Sequence, residues 1–143
     1  MNKDKYHRMA VTMLIEIFIL FSKKEKWIEI PEASKPDAVD ENGRVVHPRG
    51  DKARSWSLWG AIQRVSPGFT EHDDNSPLVI VMAKRMIAET ILLHNFPSSG
   101  STELHDIITG YDECHRVSRG GILNLLEIAI EENKDGGEND KLQ

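Results

Sequence analysis

The chain has 143 residues, with 18 Lys and Arg against 23 Asp and Glu for a net charge of −5, and 39% of its residues are hydrophobic. That length and balance suit one soluble globular domain and exclude a disordered chain. They also argue against nucleic-acid binding, which draws on concentrated Lys and Arg. The one cysteine excludes an internal disulfide and a multi-cysteine zinc site.

Met9 to Phe21 is apolar except for Thr12 and Glu16. The run is too long for a strand and lacks Gly and Pro, so a first helix is predicted over residues 4–22. Lys3, Lys5 and Arg8 before it imitate the start of a secretory signal. Glu16 interrupts the run, however, Ser22-Lys23-Lys24-Glu25-Lys26 stands where a cleavage site would be, and the apolar stretch is too short to cross a bilayer. A core helix, wetted along its Thr12/Glu16 edge, explains the same residues. The expected location is cytoplasmic, with no membrane partner.

Trp27-Ile28-Glu29-Ile30 alternates, and Pro31 to Gly50 is irregular, with Pro31, Pro36 and Pro48. Within it, Asp37-Ala38-Val39-Asp40 and Arg44-Val45-Val46 flank Glu41-Asn42-Gly43, which predicts a small hairpin turning at Asn-Gly. A second helix is predicted from Asp51 as N-cap, with Ala53, Trp56, Trp59, Ile62 and Val65 at helical spacing. Gly60 inside it costs about 1 kcal/mol of propensity relative to Ala, and its simplest use is to let another backbone come close. Ser66-Pro67-Gly68 ends this helix.

After a polar loop over Thr70 to Asn75, Ser76-Pro77 reads as a cap followed by a first-turn proline. A third helix is predicted from Pro77 to about His94, burying Val79, Met82, Ala83, Met86, Ile87, Ile91 and Leu92. Asn95 to Gly100 is a loop, and Thr102 to Ile108 a short helix stopped by Gly110. In the last helix Ser118 is the cap, with Val117 and Ile122 spaced as a hydrophobic staple. Ile122, Leu125, Leu126, Ala129 and Ile130 make its apolar stripe. The fold expected is mainly α: one compact helical domain over residues 1–132, of about five helices, with a small β-hairpin between the first two. Residues 133–143, acidic and with Gly136-Gly137, are expected to form a flexible tail.

Tyr111-Asp112-Glu113, followed by Val117-Ser118 and Ile122-Leu123-Asn124-Leu125-Leu126-Glu127-Ile128-Ala129-Ile130, resembles the C-terminal signature of a family of small uncharacterised bacterial and phage proteins. Its members show Trp-Asn-Asp, then a Thr cap, then an Ile/Leu/Ala helix. Ala53-Arg54-Ser55-Trp56-Ser57-Leu58-Trp59-Gly60-Ala61 is similar to that family's central Trp-Cys-x-x-Gly-Ala helix, and the first helix ending at Trp27 to its opening segment. Ser57 stands where the family has Cys, and Tyr111-Asp112 where it has Trp-Asn. The resemblance spans most of residues 9–130 and implies a helical architecture; it brings no activity.

Candidate chemistry is sparse. Cys114 and His115 are adjacent, which points their side chains apart, so a nucleophilic pair would need special loop geometry. His7, His47, His72, His94, His105 and His115 form no His-x-x-x-His pair, and scattered edge histidines need no metal. Asp73-Asp74 and Glu131-Glu132 are solvated neighbours rather than an acid–base pair facing one substrate. Arg49-Gly50-Asp51 reads as a turn, and Ser98-Ser99-Gly100-Ser101-Thr102 lacks the spacing and Lys of a P-loop.

The strongest candidate site is at the start of the last helix. There Arg116, Ser118 and Arg119 stand beside Gly120 and Gly121, and the free N–H groups and helix dipole favour an anion. The sequence points to a non-catalytic helical protein that acts by binding a protein partner or itself. The motive is a first helix apolar nearly all round. The alternative is a binder, or hydrolase, of a small anionic or phosphorylated ligand at the site just described. No cofactor and no metal are expected.

Overall fold

Helix α1 (Lys3–Phe21) forms where the long apolar run demands it and buries Ala10, Met13, Leu14, Ile17 and Phe21, a stripe at three- and four-residue spacing. The computed structural model describes residues 3–29, 35–66, 76–114 and 117–134. After α1 the chain reverses at Glu25, in the left-handed region at φ 70°. It then enters a small sheet in which Ala38–Val39 (β1) pairs antiparallel with Ser55–Trp56 (β2), Ala38 opposite Trp56. Trp27 adds a parallel bridge to Trp56, and Val45 an antiparallel one to Val39.

The expected turn is present. Gly43 N–H donates to the Asp40 carbonyl at 3.0 Å, and the Asp40 carboxylate accepts from the Asn42 and Arg44 N–H groups at 2.9 Å each. Those bonds hold the Asp40 carboxyl below its ordinary range. Only Gly43 takes a positive φ there, at 81°, and Asn42 does not.

The second helix is shorter than expected. α2 spans Leu58–Val65 with Ser57, not Asp51, as N-cap. Ala53 and Trp56 are buried as expected, but from a turn and a strand. The physical reason is that tertiary bonds claim their backbone: Trp56 N–H donates to the Lys26 carbonyl at 2.7 Å, and its carbonyl accepts from Ile28 N–H at 2.9 Å. The Trp56 indole N–H reaches the Pro48 carbonyl at 2.8 Å. Arg49 in turn donates to the Gln63 and Ser66 carbonyls, closing the C-terminal end of α2.

Gly60 does what its place suggested. A Cβ there would lie 1.8 Å from the Asp37 carbonyl oxygen, so the chain entering β1 passes directly over α2. The neighbouring Ser57 N–H donates to that same carbonyl at 3.1 Å.

Helix α3 spans Ser76–Leu93, so Ser76 is the first helical residue rather than the cap. It buries Val79, Ala83, Met86, Ile87 and Ile91, but Met82 is half-buried and Leu92 exposed, against expectation. Helix α4 (Leu104–Asp112) runs through Gly110 instead of stopping there. Gly110 is needed for contact, since a Cβ would lie 2.8 Å from that of Ser99. Helix α5 spans Arg119–Asn133 and buries Ile122, Leu125, Leu126 and Ala129. The core lies where α1 packs on α3, α5 and α2, α3 on α4 and α5, and α2 on α4. Over the described residues the architecture is mainly helical, five helices with a small antiparallel hairpin between α1 and α2.

Candidate functional site

The start of α5 is built as the sequence predicted. The Ser118 hydroxyl accepts the Gly121 N–H at 3.2 Å, and Val117 packs against the same core that Ile122 enters. Gly121 lies against Tyr111, whose hydroxyl oxygen a Cβ would meet at 3.4 Å, whereas at Gly120 the nearest such neighbour among the described residues is Ser118 Oγ at 3.7 Å. Arg119 turns away from this end. Its guanidinium donates to the Phe21 and Ser22 carbonyls at 3.2 and 3.1 Å, neutralising the negative end of α1.

Of the five anion-site residues, Ser118, Arg119, Gly120 and Gly121 are thus placed, three of them (Ser118, Arg119 and Gly121) committed to bonds within the fold. Arg116 lies outside the described residues, as do His115, His72, Asp73-Asp74, the Thr70–Asn75 loop and the tail after Lys134. Replacing Ser118 with Ala is expected to cost about 1 kcal/mol in thermal unfolding, and replacing it with Asp to be neutral or slightly stabilising. An unchanged melting temperature for the Ala variant would contradict the cap.

The most concentrated chemistry in the interior is elsewhere, at the C-terminal end of α4. Asp112 and Lys35 form an ion pair at 3.1 Å, with side chains only 1% and 2% exposed. The Asp112 carboxylate also accepts the Trp27 indole N–H at 2.7 Å and, through its other oxygen, the Leu58 N–H at 2.9 Å. Lys35 donates further to the Asp112 carbonyl at 2.9 Å and lies 3.9 Å from the centre of the Trp27 ring. Its own N–H donates to Glu113 at 3.0 Å.

Burial pushes the Lys35 amine down from its ordinary value, while Asp112 opposes that shift. Burial also pushes the adjacent Tyr111 phenol up. The Asp112 carboxylate is spent on structure: it caps α2, holds Trp27 and neutralises Lys35. The cluster is not legible in the sequence, because Lys35 and Asp112 are 77 residues apart. The available signal is a carboxylate one turn after Ile108, on the same face as Ile107, Ile108 and Tyr111.

The remaining candidates separate. Cys114 is half-buried, with its N–H on the Tyr111 carbonyl. His7 donates to the Asn133 carbonyl and His94 pairs with Glu132, both at 2.7 Å, so the two tie α1 and α3 to the last turn of α5. Glu131 pairs with Lys134 at 3.1 Å. His105 meets the Trp59 ring edge-on at 4.5 Å and Asp106 at 3.4 Å. The serine-rich loop closes on itself, Ser99 donating to the Asp106 carbonyl and Ser101 to its carboxylate.

A surface cleft of about 320 Å³ by the hairpin is lined by Asp40, Glu41, Asn42, Arg44, Lys52 and Arg54, with charges of both signs. Among the described residues, no group of three or more His, Cys, Asp or Glu is placed to hold a metal, and no helix is long and apolar enough to cross a membrane. Comparison with protein-family models, with curated proteins and with solved structures found no match to this chain.

Proposed function

We propose that this is a non-catalytic helical binding or accessory protein that works through protein–protein contact, above all through self-association. The observation that supports this reading is apolar side chains left on the outer faces of two long helices. Ile15 and Ile19 lie one turn apart on α1, and Leu78, Val81, Leu92 and Leu93 project from α3, at exposures from 38% for Val81 to 74% for Leu93. Apolar surface spread along a helix face is what a partner removes from water, at roughly 25 cal/mol per Å². The buried charges, by contrast, are consumed in holding the fold. A cytoplasmic setting, and a place among small uncharacterised bacterial and phage proteins with the Trp-Cys-x-x-Gly-Ala-like helix, belong to the same reading.

Sedimentation velocity over about a hundredfold range of concentration is the test, because mass action makes association concentration-dependent. The average mass is expected to rise with concentration. A strict monomer throughout would overturn the reading. The rival reading, an anion binder or hydrolase at the start of α5, draws on the open first turn at Gly120 but loses Arg119 to α1. It is the reading to adopt if the protein stays monomeric while inorganic phosphate or a nucleotide raises its melting temperature.

A further inference from the structure

The exposed residues of α3 carry a pattern that their exposure alone does not require. At 100° per residue, Leu78, Val81, Arg85, Glu89, Leu92 and Leu93 all project within an arc of about 120°, opposite the buried Ala83 and Ile87. Along the helix the order is apolar, apolar, positive, negative, apolar, apolar. Such an order is self-complementary under a two-fold axis. If two copies of α3 lie antiparallel and cross at the level of residue 87, Arg85 of each falls opposite Glu89 of the other. Val81 then falls opposite Leu93, and Leu92 of one copy reaches between Leu78 and Arg85 of the other.

A parallel pair would set Arg85 beside Arg85. Within the chain, among the described residues, neither Arg85 nor Glu89 takes part in an ion pair. Arg N-terminal to Glu at this spacing is the weaker intrahelical order. The outer face of α1 lacks the same symmetry: an antiparallel pairing that matches Arg8 with Glu16 leaves Ile19 against Lys5.

We infer that two copies of this chain associate through the outer face of α3, antiparallel, with reciprocal Arg85–Glu89 ion pairs at the centre and Leu78, Val81, Leu92 and Leu93 packed on either side. An isologous contact of this kind closes as a dimer. One helix face buries less than the roughly 800 Å² per partner of a standard interface, so the dimer is concentration-dependent rather than obligate. The inference rests on the self-association proposed above and adds the face, the direction and the partner.

Sedimentation of charge variants tests it. Arg85→Glu and Glu89→Arg each place like charges across the interface twice, and each is expected to weaken dimerisation by about tenfold or more. The double variant R85E/E89R restores opposite charges and is expected to recover dimerisation. An equimolar mixture of the two single variants is expected to form heterodimers where each alone stays largely monomeric. All of these positions are exposed, so melting temperatures are expected to change little.

Single variants that dimerise as the wild type does would overturn this interface while leaving self-association standing. So would failure of both the double variant and the mixture to recover it. A wild type that remains monomeric overturns both readings together.

Discussion

Replacing Asp112 with Ala is expected to destabilise the protein by about 3–5 kcal/mol, the range for breaking a buried ion pair from one side. Three groups lose the carboxylate at once: the Trp27 indole N–H, the Leu58 N–H at the start of α2, and the Lys35 ammonium, which keeps the residue-112 carbonyl but not its counter-charge. For a chain of this size the loss corresponds to a fall in melting temperature of roughly 10–15 °C. Asp112→Asn keeps an acceptor but leaves Lys35 charged and unneutralised, so it is expected to be nearly as damaging. Lys35→Met is expected to cost less, because the carboxylate retains two N–H donors and the positive end of α2. The double variant Lys35→Met/Asp112→Asn removes both charges and is expected to be more stable than Asp112→Asn alone. Simple addition of the two single effects in thermal or denaturant unfolding would show that the pair is not coupled.

The second large effect is expected at Gly60. Alanine there would gain about 1 kcal/mol of helix propensity. Its methyl carbon, however, would stand 1.8 Å from the Asp37 carbonyl oxygen and 2.6 Å from the carbonyl carbon, both backbone atoms that have no rotamer to escape through. The strand must lift off α2, which breaks the Ser57–Asp37 bond and loosens β1. A net loss of about 3 kcal/mol or more is expected, at the upper end of overpacking effects. Gly120→Ala is the matched control. It also lies in a helix, but among the described residues a Cβ there would meet only Ser118 Oγ, at 3.7 Å. It is expected to stabilise by up to about 1 kcal/mol. If the two alanines move the melting temperature in the same direction, the close approach at Gly60 is wrong.

These two sites differ in how far they were legible. Gly60 could be suspected from the sequence, since a glycine inside an apolar helical pattern costs stability and so implies a use. Its partner, Asp37, could not be named. Asp112 carried less signal still, because a carboxylate at the end of a helix is ordinarily solvated. Of the proposed anion site, the cap at Ser118 was legible and the fate of Arg119 was not. The cap depends on neighbours three residues away, and the arginine on carbonyls 97 and 98 residues away.

What the sequence determined by itself was local. The apolar run set α1, the turn residues set the reversal at Gly43, and the cap and staple set the start of α5. Each rests on interactions within a few residues, which persist whatever the rest of the chain does. The tertiary structure decided the rest. It turned Trp56 out of a helix and into a sheet and left Ala53 in the turn before it, because Lys26, Ile28 and Pro48 bond Trp56. It carried α4 through Gly110, because Ser99 packs where a side chain would have been. It left Leu92 in water, because a helix apolar on both faces meets the core with only one. Composition counts the apolar residues of α3, but only the packing of α1, α4 and α5 around it chooses which of them remain for a partner.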